Sequence, residues 1–280
     1  MARAHARRRR LRIAVSSIIG VVVLLAAAVA LGASARNGAP AKTSAAGSPL
    51  LAKVTGVPTA TTEEVGSGGT GQSLLGLNST VIASGKPKVV YIGAEYCPFC
   101  AAERWPVVQA LSRFGTWVGL KTSASATDDV FPGTATFSFQ GATYTSRYLS
   151  FEGVETHGNV RVGGSYPLLQ ALTPEQRTML ETYNAPPYVP AKRAGGIPFV
   201  NYGGRFATAG ADYDPEVLVG MTATQIADAL SDPATSQAKA ILGAANRLTA
   251  ALCALTGGQP SEVCQAPAVT ALAKQLPSGR

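Results

Sequence analysis

Cys97-Pro98-Phe99-Cys100 is the segment of this chain best suited to chemistry. A C-x-x-C pair supports thiol–disulfide exchange: one thiolate attacks a disulfide sulfur, and the second thiol resolves the mixed disulfide. The same pair can hold a soft metal. A structural zinc site needs four ligands, but Cys253 and Cys264 stand eleven positions apart, and His5 and His157 are isolated. Cu(I) selects thiolates, yet Met1, Met179 and Met221 are scattered and form no cluster. Exchange chemistry is therefore the reading adopted, with no resident metal and no cofactor. Copper handling and a non-catalytic adaptor are the alternatives.

The flanking residues say how the motif is held. Lys88 to Gly93 is an apolar, β-branched run that suits a strand buried on both faces. After the motif, Val107, Val108, Leu111 and Phe114 recur at helical spacing. Strand, C-x-x-C, helix is the predicted order. It puts Cys97 at the helix cap and Pro98 at the first helical position, where a missing N–H is harmless. A helix N-terminus carries about half a positive charge and free N–H donors, which favour thiolate over thiol. Cys97 is thus the expected nucleophile and Cys100 the resolving thiol.

Gly-Ala-Glu-Tyr-Cys-Pro-Phe-Cys (93–100) resembles the active-site segment of the thioredoxin superfamily. Gly195-Gly196-Ile197-Pro198-Phe199-Val200-Asn201-Tyr202 resembles that superfamily's second hallmark, an apolar residue and a cis-proline that open a strand opposite the cysteines. Gly203-Gly204 is a turn signal, Arg205 to Thr208 a returning strand, and Thr222 a cap candidate for a helix reaching Leu230. The resemblance implies an α/β thioredoxin-like fold with a central mixed sheet. It implies that Ile197 offers backbone hydrogen bonds to a substrate peptide and that Pro198 packs beside the disulfide. Pro98 and Phe99 then form the active-site loop.

The 97 residues between Cys100 and Pro198 exceed what a minimal thioredoxin fold uses. An insertion over about 124–193 is expected, as in the disulfide-forming oxidoreductases of the bacterial envelope. Its first part reads as strands (135–151) and its second as a helix starting at Thr173. The whole chain also resembles an uncharacterised, membrane-anchored thioredoxin-like family of actinobacteria and archaea with a Cys-Pro-Phe-Cys motif. One position departs from the superfamily. Where many members carry a buried acid six residues before the first cysteine, this chain has Tyr91. Glu95 is nearer in sequence and is expected to point elsewhere, so the proton-transfer group is open.

The elements outside the motif set its location. Ile13 to Ala35 is a run of 23 uncharged residues preceded by an arginine cluster. As a helix it would rise about 35 Å, enough to span a hydrocarbon core of about 30 Å. The preceding arginines keep residues 1–12 in the cytoplasm and export the rest. Ala33-Ser34-Ala35 also fits a signal-peptidase site, which would release a secreted protein. The apolar run is longer than the about 7–15 residues of a cleaved signal, so a single-pass anchor is the reading adopted. Residues 36–49 read as a flexible linker and 50–280 as the extracytoplasmic domain, with a helical tail over 233–280.

Net charge is +8, with 24 basic and 16 acidic residues. Seven of the basic residues lie in the first 36, which leaves the domain nearly neutral, so a nucleic-acid partner is not expected. The expected partners are thiols or disulfides of exported proteins and a membrane redox protein that recycles the motif. Residues 236 to 255 carry an apolar helical stripe ending at Cys253, and Gly257-Gly258 stops it before Cys264. In an exported chain those two cysteines read as a structural disulfide.

The expected outcome of cell fractionation is that the protein stays with membranes and that protease added outside spheroplasts digests the domain beyond residue 50. A soluble mature chain beginning at Arg36 would replace the anchor with a cleaved signal.

Overall fold

The computed structural model describes residues 44–45, 48–69, 71 and 74–279. The expected anchor at 13–35 and the basic segment 1–12 lie outside the described residues. The described chain runs in order through β1 (Ser44–Ala45), α1 (Ser48–Thr55), α2 (Thr59–Val65), β2 (Leu75–Gly76), β3 (Ile82–Ala83) and β4 (Lys86–Gly93). Helix α3 (Pro98–Ser112) follows, then β5 (Gly115–Val118), β6 (Lys121–Ala124), β7 (Ala135–Ser138), β8 (Thr143–Ser146) and β9 (Ser150–Glu155). The remainder is α4 (Pro174–Tyr183), β10 (Phe199–Tyr202), β11 (Phe206–Ala209), α5 (Ala223–Ala229), α6 (Ser236–Leu255), α7 (Ser261–Cys264) and α8 (Pro267–Ala273).

Strand β4 is the axis of a mixed sheet. It pairs in parallel with β9, from Lys88 opposite Ser150 to Gly93 opposite Glu155. On its other side it pairs antiparallel with β10, which pairs antiparallel with β11, which pairs with β2. Side chains on a strand alternate faces, and β4 uses both. Val89 and Tyr91 enter the core built on α3 and α6. Val90 and Ile92 enter a smaller core with Phe199, Ala207 and the α4 residues Met179, Leu180 and Tyr183. Helices on both faces explain why this strand reads as a continuous apolar run instead of an alternating one.

Part of the expected insertion belongs to the sheet: residues 150–155 form β9, and α4 covers one face. The excursion beyond the sheet is made of β5 to β8, in which β5 pairs with β8 and β6 with β7. Part of the expected linker is also ordered, because Ser44–Ala45 pair with β6 and α1 begins at Ser48. The hairpin signal at Gly203-Gly204 joins β10 to β11, and both glycines take positive φ, at 60° and 76°. Thr173 and Thr222 each cap their helix through a reciprocal capping box with Gln176 and Gln225.

Helix α3 contains Pro106, whose ring nitrogen cannot donate to the carbonyl of Ala102 one turn earlier. That carbonyl instead accepts from the Tyr213 hydroxyl at 2.8 Å. The next carbonyl toward the N-terminus, that of Ala101, accepts from Thr136 Oγ1 at 2.6 Å. Neighbouring elements thus supply donors where the helix interior is interrupted, and the buried carbonyl is not left unpaired.

Among the described residues, α6 is the helix long and apolar enough to cross a membrane, but most of it is buried inside the domain. It packs on α3 and is the central core helix. Cys253 in its last turn is disulfide-bonded to Cys264 in α7, with the two Cα atoms 5.5 Å apart. The bridge closes a loop of about 12 residues, for which the chain-entropy relation gives about 3 kcal/mol. Replacing both cysteines by alanine is expected to lower the unfolding free energy by about that amount in urea titrations, without changing the alkylation of the free thiols Cys97 and Cys100.

Candidate active site

Cys97 caps α3 with extended backbone angles, φ −78° and ψ 122°, and Pro98 occupies the first helical position. Its sulfur accepts from the backbone N–H of Cys100 at 3.3 Å. The same thiol donates to the carbonyl oxygen of Ile197 at 3.8 Å. Cys97 is 6% exposed and Cys100 is fully buried. The Ile197–Pro198 peptide bond is cis and lies just ahead of β10. Two segments almost 100 residues apart in sequence therefore meet at the Cys97 sulfur, and both free cysteines are at this point.

The two thiols sit in different electrostatic settings. Hydrogen bonding from the Cys100 thiol pulls Cys97 below its ordinary pKa. Burial opposes this and is outweighed with the help of the Cys100 N–H, the Arg104 charge and the Phe99 N–H. Burial, followed by the hydrogen bond and charge of Cys97, pushes Cys100 well above its ordinary value. The outer sulfur is thus the one that ionises and the inner one keeps its proton.

Beneath the motif lie charges that the sequence reading did not single out. Arg104 and Glu155 form a fully buried ion pair, with Nε to Oε1 at 2.8 Å and Nη2 to Oε2 at 2.6 Å. Burial works against the Arg104 charge, but Glu155 above all holds it protonated. Glu95 is itself buried, and its Oε2 accepts from Ser123 Oγ at 2.6 Å. Tyr91 is fully buried and donates a long bond, 3.4 Å, to the carbonyl of Cys100. Burial raises its pKa well above the ordinary value, so it remains a neutral phenol.

Beside the cysteines opens a cavity of about 530 Å³ whose walls include Phe99, Ile197, Asn184, Tyr213 and Asp212. Phe99 is 40% exposed and meets the Phe131 ring edge-on at 5.9 Å. The motif's middle dipeptide thus presents an aromatic side chain to whatever enters. Tyr96 stacks on Tyr166 at 4.3 Å on a neighbouring loop, which Arg161 and Tyr166 fasten to Asp128. Asp128 is an exposed turn residue whose carboxylate ties that loop down. His157 pairs with Leu168 in a β-bridge, and its carbonyl accepts from the Glu95 N–H at 2.8 Å. No group of three or more metal-ligating side chains occurs among the described residues.

A buried pair of acids joins α3 to the cavity wall. Glu103 Oε2 accepts from the backbone N–H of Asp212 at 2.9 Å, and both residues are buried. Burial, then the charge of Asp212, pushes Glu103 well above the usual carboxylate range. Burial raises Asp212 to about 7, with Arg247 opposing. A carboxyl whose folded pKa is raised stabilises the fold most below its unfolded value of about 3.9 and loses that stabilisation as pH climbs through the folded value. Thermal unfolding should therefore shift to lower temperature between pH 5 and pH 8. Asp212→Asn should flatten that fall, and an unchanged pH profile in the variant would exclude Asp212 as its source.

Residues 76–254, from β2 to the last turn of α6, match a family described as "Domain of unknown function (DUF929)". No curated protein and no solved structure matches the chain. The matched span is well over half of the 280 residues and includes Cys97, Cys100, the Ile197–Pro198 segment, and the Arg104–Glu155 and Glu103–Asp212 pairs. The chain belongs to the DUF929 family.

Proposed function

We propose that this chain is a membrane-tethered, extracytoplasmic thiol–disulfide oxidoreductase with a thioredoxin-like fold, acting on exported proteins. The observation that carries the reading is the asymmetry of the two thiols on one helix end. Cys97 is slightly exposed, capped by N–H donors and lowered in pKa, while Cys100 is buried and raised. Exchange chemistry needs that inequality: a nucleophile that is anionic near neutral pH and a resolving thiol that waits.

The topology supports the fold. A motif-bearing helix follows β4, a parallel neighbour β9 returns on one side, and the antiparallel pair β10–β11 follows the Ile197–Pro198 bond on the other. The cavity beside Phe99 and Ile197 gives a substrate chain a place to lie against the Cys97 sulfur. The anchor expected at 13–35 would keep the domain at the outer membrane face, close to a membrane partner that recycles the motif.

The chemistry balances as follows. In the reducing direction, the Cys97 thiolate attacks one sulfur of a substrate disulfide, forming a Cys97–substrate disulfide and expelling a substrate thiolate. Cys100 loses its proton and attacks the Cys97 sulfur, closing the Cys97–Cys100 disulfide and releasing the second substrate sulfur. Two electrons pass to the substrate; one of its sulfurs takes the proton from Cys100 and the other leaves as thiolate, which water protonates. The oxidising direction reverses these steps, and the partner's reduction potential sets which one runs.

The test is to express Cys100→Ala and resolve membrane extracts on non-reducing gels. Adducts that disappear with dithiothreitol, and that the Cys97→Ala, Cys100→Ala double variant lacks, are the expected result. Equal adduct formation by Cys97→Ala, through Cys100 alone, would overturn the assignment, as would a Cys100→Ala chain that captures nothing.

A further inference from the structure

Arg104 follows Cys100 by four residues and Cys97 by seven, so a helix of 3.6 residues per turn puts all three on one face of α3. Helical side chains lean toward the N-terminus, which carries the guanidinium back beneath the motif. Nη2 bonds the carbonyl of Ala94, three residues ahead of Cys97, at 2.9 Å. Nε and Nη2 together clamp Glu155, the last residue of β9. Neither side chain reaches water. Nη1 is also buried and has no hydrogen-bond partner, so one edge of the cation is uncommitted to protein acceptors. The Tyr91 ring lies 5.8 Å from the guanidinium carbon, and the Tyr91 hydroxyl reaches the Cys100 carbonyl.

We propose that Arg104 is the positioning residue of this motif: clamped by Glu155 beneath the start of α3, its guanidinium holds the Cys97 sulfur in its anionic form and favours the dithiol over the disulfide. The proposal rests on the oxidoreductase reading and names what sets its poise. Charges interact more strongly at low local dielectric, and a clamped guanidinium needs no rearrangement when the thiolate forms. The helix N-terminus acts in the same sense, but it offers only partial charges.

The groups facing the sulfurs from other elements do not replace it. Tyr91 on β4 and Tyr96 in the preceding loop are raised by burial and stay neutral. Glu95 carries a carboxylate bonded to Ser123, and Glu155 on β9 is the counter-charge. Among these groups, Arg104 is the cation. Reduction of the Cys97–Cys100 disulfide by a thiol couple such as glutathione takes two electrons. Above the pKa of Cys97 it takes up one proton, to the Cys100 thiol, and leaves Cys97 as thiolate. Stabilising that thiolate raises the reduction potential.

The experiment measures two quantities on the full chain: the pH dependence of Cys97 alkylation by iodoacetamide, and the equilibrium with glutathione. Glu155→Gln removes the counter-charge and keeps the cation. Cys97 should then titrate at lower pH, and the equilibrium should move toward dithiol. Arg104→Met should do the reverse, by about tenfold in the equilibrium constant, which is about 30 mV for a two-electron couple. Arg104→Lys should restore most of the difference. Arg104→Met strands a buried carboxylate and can fail to fold; Arg104→Met with Glu155→Leu replaces the pair by apolar side chains and should shift the titration in the same direction as Arg104→Met. A purely structural role predicts shifts of one sign, or none, in both single variants, and that result would overturn the proposal. Failure of the oxidoreductase reading is seen separately, as a Cys100→Ala chain that traps no partner, and it leaves the titration of Cys97 readable.

Discussion

Two opposite charges sealed from water beneath the start of α3 constrain everything around them. A buried ion pair is tolerated only with near-ideal geometry, because the desolvation of each ion amounts to several kcal/mol. Arg104 and Glu155 meet through two short bonds, and that geometry exists only if three elements are in register. The α3 helix must turn Arg104 inward, β9 must end at Glu155 opposite Gly93 of β4, and the loop after β4 must offer the carbonyl of Ala94. The same three conditions fix the position of Cys97. A structure that satisfies the ion pair has therefore already placed Cys97 at the helix end.

The sheet and helices around this point make the placement rigid. β4 is buried on both faces and hydrogen-bonded on both sides, so its C-terminal end cannot shift independently of the core. α3 is held from the other side by α6. Gln109 of α3 also donates to the carbonyl of Val54 at 2.7 Å, which ties α1 to the same helix. Asn246 of α6 in turn donates to Thr62 and Gly66 at the end of α2. Rigid support matters chemically because the difference between the two thiols is a difference of position. One sulfur reaches the surface beside Ile197, and the other is a turn deeper.

The sequence made local features legible where one residue type satisfies one local demand. Pro98 at the first turn, Thr173 and Thr222 at caps, Gly203-Gly204 in a hairpin and the β-branched run of β4 each answer to backbone geometry within a few residues, and the structure has them as expected. Long-range partnerships were not legible. Nothing near Arg104 in sequence announces Glu155, 51 residues on, and nothing near Glu103 announces Asp212, 109 residues on. A usable signal did exist, since Glu103 and Arg104 interrupt an otherwise mostly apolar helix and Arg104 has the i+4 and i+7 spacing to the cysteines. Sheet membership of β9 was missed for a related reason. Ser150-Phe151-Glu152-Gly153-Val154-Glu155 alternates like a strand with one wet face, while its neighbour across the parallel ladder is separated from it by one helix and four strands and leaves no local trace.

Glu103 and Arg104 are consecutive, and that adjacency carries a further consequence. Successive helical residues point about 100° apart, so one helix sends a buried cation and a buried carboxyl to two different partners. Arg104 goes to the end of β9, and Glu103 goes to the backbone of Asp212 after β11. A rotation of α3 by one residue would bring Glu103 toward Glu155 and withdraw Arg104 from Ala94. It would place two carboxylates together without a cation and turn Cys100 away from its buried site. Apolar packing alone tolerates such slippage far better, because one aliphatic side chain can stand in for another. A guanidinium and a carboxyl at adjacent positions cannot exchange places. The pair therefore fixes the rotational setting of α3, and with it which cysteine is outside and which is inside.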